Sequence, residues 1–169
     1  MALIVEDGTI VPNANSYQTL AEIRAYALAR GVTLSAVDSE LEPLAIQAMD
    51  YLEAQRAKYQ GNKVEPLVQE LQFPRYNVKI DCVAFPSDEI PKELQSAENQ
   101  LVIELHNSVD ILPTSEEAFI TEEKVGPLTT KYSDTVRTSI EPTMTAVDAL
   151  LEPLFFPCGQ KFALTTLRV

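Results

Sequence analysis

Any hydrolytic or transfer chemistry in this chain has to use His106, the one histidine among its 169 residues. Nucleophilic catalysis needs a hydroxyl or thiol within hydrogen-bond reach of a base, and neither a nucleophile elbow nor a local Cys/His signature accompanies His106. On the polar flank of a predicted helix, His106 reads as a surface side chain. The pairs Glu116-Glu117 and Glu122-Glu123 are of the type that holds a divalent cation or divides acid and base work. Without histidine partners or an EF-hand loop they read instead as a solvated acidic surface. Five glycines fall in no phosphate-cradling pattern. Cys82 and Cys158, far apart and outside any CxxC, are expected to be reduced thiols rather than a zinc site or a disulfide framework. The expectation is a chain that is not an enzyme and carries no metal and no cofactor.

Charge narrows the partners. Asp and Glu number 25 against 13 Lys and Arg, so the net charge is -12 and the isoelectric point about 4.4. Such a surface repels polyanions at long range. Nucleic-acid binding needs clustered cations, with aromatics interleaved when single strands are held. The nearest approach is Arg56, Lys58 and Tyr59 with Lys63 close by, which is also what the exposed end of an amphipathic helix carries. The apolar start Met1 to Val5 meets Glu6 and Asp7 at once, with no basic region before it and no span-length apolar run, so a cytoplasmic chain is expected. The length and a 46% hydrophobic content suit one compact domain over residues 1–169.

The elements that would position these groups are mainly helical. Residues 1–18, with Gly8, Pro12 and Asn13, read as an extended N-terminal arm that packs on something. Thr19 and Glu22 form a capping-box pattern, followed by Leu20, Ile23, Ala27 and Leu28 at helical spacing and a stop at Gly31. A second cap signal at Ser39 and Glu42 precedes the stripe Leu41, Leu44, Ala45, Ala48 and Leu52, with Pro43 blurring the start. Residues 60–90, broken by Pro66, Pro74 and Pro86, read as a long, partly ordered crossover, and a loop of that length is a candidate interface. Pro91 opens a third helix with Leu94, Ala97, Leu101 and Leu105 inward and Glu93, Glu98 and Glu104 on other faces, ending before Pro113. Two short strands about Gly126-Pro127 read as a hairpin. Thr143 caps a fourth helix with Met144, Val147, Leu151 and Leu154. Residues 155–169 form an extended C-terminal tail in which Phe162, Leu164 and Thr166 alternate, as in a strand added to a neighbour.

Several segments, spread over most of the chain, together resemble a known family: Leu3-Ile-Val-Glu-Asp-Gly-Thr9, Asn15-Ser-Tyr17, Ala29-Arg-Gly31, Asp50-Tyr-Leu52, Gln72-Phe-Pro-Arg75, Glu123-Lys-Val-Gly-Pro127 and Val147-Asp-Ala-Leu-Leu151. The family is phage-borne and labelled DnaT-like single-stranded DNA-binding protein. In size and helical plan its members are similar to the head-to-tail connector, or adaptor, proteins of tailed phages. That resemblance implies a virion protein of the neck, assembled in the host cytoplasm into a homo-oligomeric ring of about twelve copies. Its implied partners are the portal protein on one face and a downstream stopper or tail-terminator protein on the other, with double-stranded DNA passing through the acidic lumen unbound and no membrane involved.

On this reading the helices form the ring wall and the non-helical pieces make the contacts. The expected interface residues are Arg75 in the crossover, Val125, Gly126, Pro127 and Leu128 in the hairpin, and Phe155, Phe156, Phe162, Leu164 and Leu167 in the tail. Completion of the chain's own core is the other use for hairpin and tail, and Arg75 could equally anchor its loop internally. Two rival functions stand beside the connector: a replication-linked binder of single-stranded DNA, and a small enzyme using paired carboxylates and a metal.

Overall fold

The computed structural model describes residues 2–109, 111 and 144–156, together with the backbone of 122–125 and 128–131. Among the described residues four helices dominate: α1 (Leu20–Leu28), α2 (Asp38–Ala54), α3 (Lys92–His106) and α4 (Thr145–Phe155). Between them lie three separate two-stranded antiparallel ladders. β1 (Asn62–Lys63) pairs with β2 (Arg75–Tyr76), β3 (Lys79–Ile80) with β4 (Val83–Ala84), and β5 (Glu122–Val125) with β6 (Leu128–Lys131). The last two pairs are hairpins.

The first helix starts and stops as its residues dictate. Thr19 Oγ1 accepts from Glu22 N at 3.3 Å while Thr19 N donates to Glu22 Oε2 at 2.8 Å, closing the capping box. These bonds hold the Glu22 carboxyl below its ordinary range. At the other end Gly31 takes φ 76°, and Gly31 N and Val32 N donate to Leu28 O and Ala27 O, the bond pair of a Schellman stop. Leu28, expected inward, is 66% exposed, and the buried residues of α1 are Ile23 and Ala27.

α2 begins at Asp38 without a side-chain cap, so the Ser39/Glu42 signal is not used. Ser35 does related work one turn earlier, its hydroxyl accepting from Val37 N and donating to Glu40. Arg24 fixes the entry angle through Ser35 O at 2.9 Å and Asp38 Oδ1 at 2.6 Å. Pro43 lies inside the helix rather than at its first position, so the bond an N–H there would have made to Ser39 O is forgone. The buried stripe is Leu41, Ala45, Ala48, Met49 and Leu52, with Tyr51 beside it.

α3 is the element that α1, α2 and α4 all touch. Pro91 serves as its N-cap residue, and Leu94, Ala97, Leu101 and Val102 are fully buried. Glu98 is buried with them, which corrects the expectation that it takes a polar face. Four residues after Leu94 and three before Leu101, it stands on the same stripe by the geometry of the helix.

The crossover is folded, not loosely ordered. Phe73 is fully buried, with its ring edge-on to Tyr59 at 5.4 Å, and Tyr59 in turn packs on Phe155 at 5.3 Å. The Phe73-Pro74 peptide bond is cis. Around this aromatic stack the loop is fixed by amides. Gln69 accepts from Val64 N and Glu65 N and donates to Leu71 O and Pro74 O. Glu53 of α2 accepts from both Gln72 N and Gln72 Nε2. Cys82, between β3 and β4, is disulfide-bonded rather than a reduced thiol. Sequence separation carries no information on such pairing, which depends on the distance the fold imposes. Thr143, Cys158 and residues 157–169 lie outside the described residues.

The N-terminal segment packs on the chain's own body. Val5 bridges to Ser16 in parallel fashion, and the buried Glu6 carboxylate accepts from Gly8 N, Ile10 N and Val11 N at 2.9 Å each. Gly8, at φ 103°, lets this loop approach Asp88 so closely that a Cβ there would lie 2.1 Å from Asp88 O.

Truncation at the aromatic stack should be costly. Phe73→Ala is expected to lower unfolding stability by about 3–5 kcal/mol in denaturant titration, whereas Leu67→Ala, at a position 98% exposed, should stay within about 0.5 kcal/mol of wild type.

Candidate functional site

The described residues bring the scattered cations of the crossover to one place. An open cleft of about 500 Å³ is lined by Arg56, Asn62, Lys63, Val64, Pro66, Gln72, Arg75 and Tyr76. Arg56 comes from the short 3-10 turn (Gln55–Ala57) after α2, Lys63 from β1, and Arg75 and Tyr76 from β2. The β1–β2 ladder aligns them, with Lys63 opposite Arg75 and Asn62 opposite Tyr76. Gly61 makes this possible, since at φ 65° it passes so near β2 that a Cβ would lie 2.0 Å from Tyr76 O.

The three cations differ in how far they are committed. Arg75 is only 7% exposed. Its Nε donates to Gln60 O at 2.7 Å, Nη2 to Gly61 O at 2.8 Å and Nη1 to Gln72 Oε1 at 3.1 Å, and the guanidinium lies 5.9 Å from the centroids of both Tyr59 and Phe73. These partners are neutral, and burial draws its pKa down from the ordinary arginine value. Lys63 Nζ donates to Gln69 O and Glu70 O at 3.1 and 3.2 Å. Arg56 is exposed and makes no hydrogen bond or ion pair among the described residues. Tyr76, 42% exposed, is the aromatic on the rim, whereas Tyr59 is buried behind it. Burial and the nearby Glu53 push the Tyr59 phenol well above its ordinary value.

The other expected contact residues are distributed differently. Val125 and Leu128 face each other across the β5–β6 register, and Gly126 and Pro127 lie outside the described residues. Phe155 is half-buried against Tyr59, and Phe156 is 55% exposed. Phe162, Leu164, Leu167, Glu116 and Glu117 are outside the described residues, while Glu122 and Glu123 lie on β5. His106 is the exposed last residue of α3. Among the described residues no three His, Cys, Asp or Glu converge as a metal site would require.

A model of the family described as "Putative DnaT-like ssDNA binding protein" matches residues 1–169. The chain belongs to that family. No curated protein and no solved structure matches it. Membership agrees with the resemblance carried by the short motifs, and three of those motifs now have a physical role. Gln72-Phe-Pro-Arg75 supplies the buried ring, the cis bond and the anchoring guanidinium. Asn15-Ser-Tyr17 meets Glu98, and Ala29-Arg-Gly31 ends α1.

Sequence reasoning missed Glu98. Its Oε2 accepts from Tyr17 N at 3.0 Å and its Oε1 from Ser16 Oγ at 2.5 Å, and the same hydroxyl reaches Gln18 O at 2.7 Å. Tyr17 itself is buried, and its hydroxyl accepts from Phe73 N at 3.0 Å, so the motif joins the N-terminal segment to α3 and to the crossover. Burial pushes the Glu98 carboxyl up to about 8, against the lowering effect of the Ser16 and Tyr17 bonds.

The sign of the resulting pH dependence follows from proton linkage. The folded carboxyl titrates at about 8 and the unfolded one near 4.5, so between these values the folded state holds a proton that the unfolded state releases. Glu98 therefore contributes stability that is fully present below about 4.5 and is lost as pH rises to about 8. In parallel melts from pH 4.5 to 8.5, wild type should lose stability relative to Glu98→Gln, which mimics the neutral acid. A wild-type-minus-variant difference that stays constant with pH would contradict the assignment.

Proposed function

We propose that this chain is a non-enzymatic assembly subunit of the head-to-tail connector kind, whose copies form a ring under a phage portal and pass duplex DNA without holding it. The observation that carries this reading is the state of the cations. In a chain of net charge -12, Arg75 is buried on backbone and amide oxygens and Lys63 is tethered to two carbonyls. Phosphate binding needs free, clustered cations whose release of counterions drives association. An acidic conduit has the reverse requirement, since attraction to the duplex would hinder its passage. The same loops expose apolar side chains, with Leu67, Val68 and Val83 at 98%, 64% and 69%, and such surface suits docking to protein. Portal on one face and a tail-side neck protein on the other are the partners this reading assigns, and the virion neck is its location.

A second reading, single-stranded DNA binding, has more direct support from the family description than the connector has. The cleft also favours it, since Arg56, Lys63 and Tyr76 combine two cations with an exposed aromatic. The readings separate in a titration of fluorescent single-stranded oligonucleotide at two salt concentrations. The connector reading expects no saturable binding at about 0.15 M salt. Tight binding that weakens steeply as salt rises would establish the second reading in its place.

A further inference from the structure

We infer that Cys82 and Cys158 form a redox-operated clasp, which fastens the chain beyond α4 to the β3–β4 hairpin when closed and frees the two when open. Cys82 is disulfide-bonded, and Cys158 is the one other cysteine of the 169 residues. A bond within the chain therefore joins these two. The clasp depends neither on the connector reading nor on any ligand for the cleft.

The described fold brings the two attachment points together without help from sulfur. α4 packs on β3. Gln60 bridges them: its side-chain amide donates to Pro153 O at 2.8 Å and to Lys79 O at 3.2 Å, and accepts from Lys79 N at 3.2 Å. Lys79 begins the strand that leads into Cys82, and Pro153 lies in the last turn of α4, shortly before Cys158 in the chain. At about 3.3–3.6 Å of extended chain per residue, Cys158 is attached within reach of the hairpin. Opening the clasp leaves α4 seated, because Val147, Leu151 and Leu154 are buried and Phe155 packs on Tyr59.

The setting of Cys82 suits a bond that is made and broken. The residue is exposed, and it takes the second position of a two-residue turn between Ile80 and Val83, with Asp81 at φ 51° and Cys82 at φ 71°. Turns with two positive φ values ordinarily carry Asn-Gly or Asp-Gly. A residue with a side chain persists where glycine is favoured when its surroundings hold it there, and the bond to Cys158 supplies such a hold. Exposure also admits a small thiolate. Its attack on one sulfur of the disulfide forms a mixed disulfide and releases the other cysteine as a thiolate, and a second small thiolate then displaces the first from the protein. In sum, one protein disulfide and two small thiols give two protein thiols and one small disulfide. The co-reactant is thus a low-molecular-weight thiol/disulfide couple of the glutathione kind, whose reduced form opens the clasp and whose oxidised form closes it. Reducing compartments keep such a bond open and oxidising ones let it persist.

The test equilibrates the full chain in glutathione buffers of stepped oxidised-to-reduced ratio, quenches with iodoacetamide and maps both cysteines by mass spectrometry after proteolysis. The expected result is Cys82 linked to Cys158 at oxidising ratios and both alkylated at reducing ones, in a single two-electron transition reached without denaturant. The reduced chain should still melt cooperatively, with Tm lower by about 10 °C. The amide of Phe85, bonded to Val78 O at 2.9 Å, should exchange with deuterium faster on reduction while the amides of α3 keep their protection. Cys82→Ser and Cys158→Ser should each match the reduced wild type and ignore the buffer. Both cysteines alkylated at every ratio, or Cys82 joined to a second copy, overturns the pairing. A linked pair that yields only on denaturation overturns the switch, as does a reduced chain that unfolds outright. Reduction that changes neither Tm nor Phe85 exchange overturns the fastening.

Discussion

Gln60 ties the C-terminal end of the described structure to its middle. Its backbone N-H donates to Leu154 O and its side-chain amide to Pro153 O, so it satisfies carbonyls that the end of α4 leaves free. The same amide both accepts from Lys79 N and donates to Lys79 O, holding the start of β3, and Gln60 O receives Arg75 Nε. One residue thereby fixes α4 and both sides of the crossover. Because buried polar groups must be paired, the partners are interdependent: displacing Arg75 would leave Gln60 O and Gly61 O without their donor.

That constraint shapes how the cleft can act. The guanidinium that most resembles a binding group is a structural part of the loop and cannot move to follow a ligand. What remains adaptable is Arg56 on the turn after α2, the third N-H of Lys63 and the exposed aliphatic rim. In a chain of net charge -12, this local arrangement works only at contact distance, because screening confines its reach to about 8–10 Å.

The elements that could be read from residues were those set by local chemistry. Thr19 with Glu22, Gly31, Pro91 and the strand residues about Gly126-Pro127 each act within a few positions, and the helices and the β5–β6 pairing appear where they point. The crossover was not legible, because its order comes from long-range side-chain bonds: Tyr17 to Phe73, Glu53 to Gln72, and Gln60 to Pro153. Glutamines and prolines in a loop look like solvated linker until such partners are known. Glu98 was a different kind of miss, since its position on the stripe between Leu94 and Leu101 was visible and only its charge argued for the surface. The cleft was half legible: of the residues read as the nearest approach to a basic patch, Arg56 and Lys63 line it, but Tyr59 beside them is core, Lys58 is not in its lining, and the aromatic on the rim is Tyr76.

The family match and the acidic surface bear on different parts of the question, the first on ancestry and the second on what this chain can hold. Their meeting point is whether copies of the chain assemble around DNA or bind along it. Electron microscopy of the purified chain mixed with a phage portal protein tests this most directly. The account predicts a closed ring stacked coaxially on the portal, and portal particles that remain bare beside free monomers would contradict it.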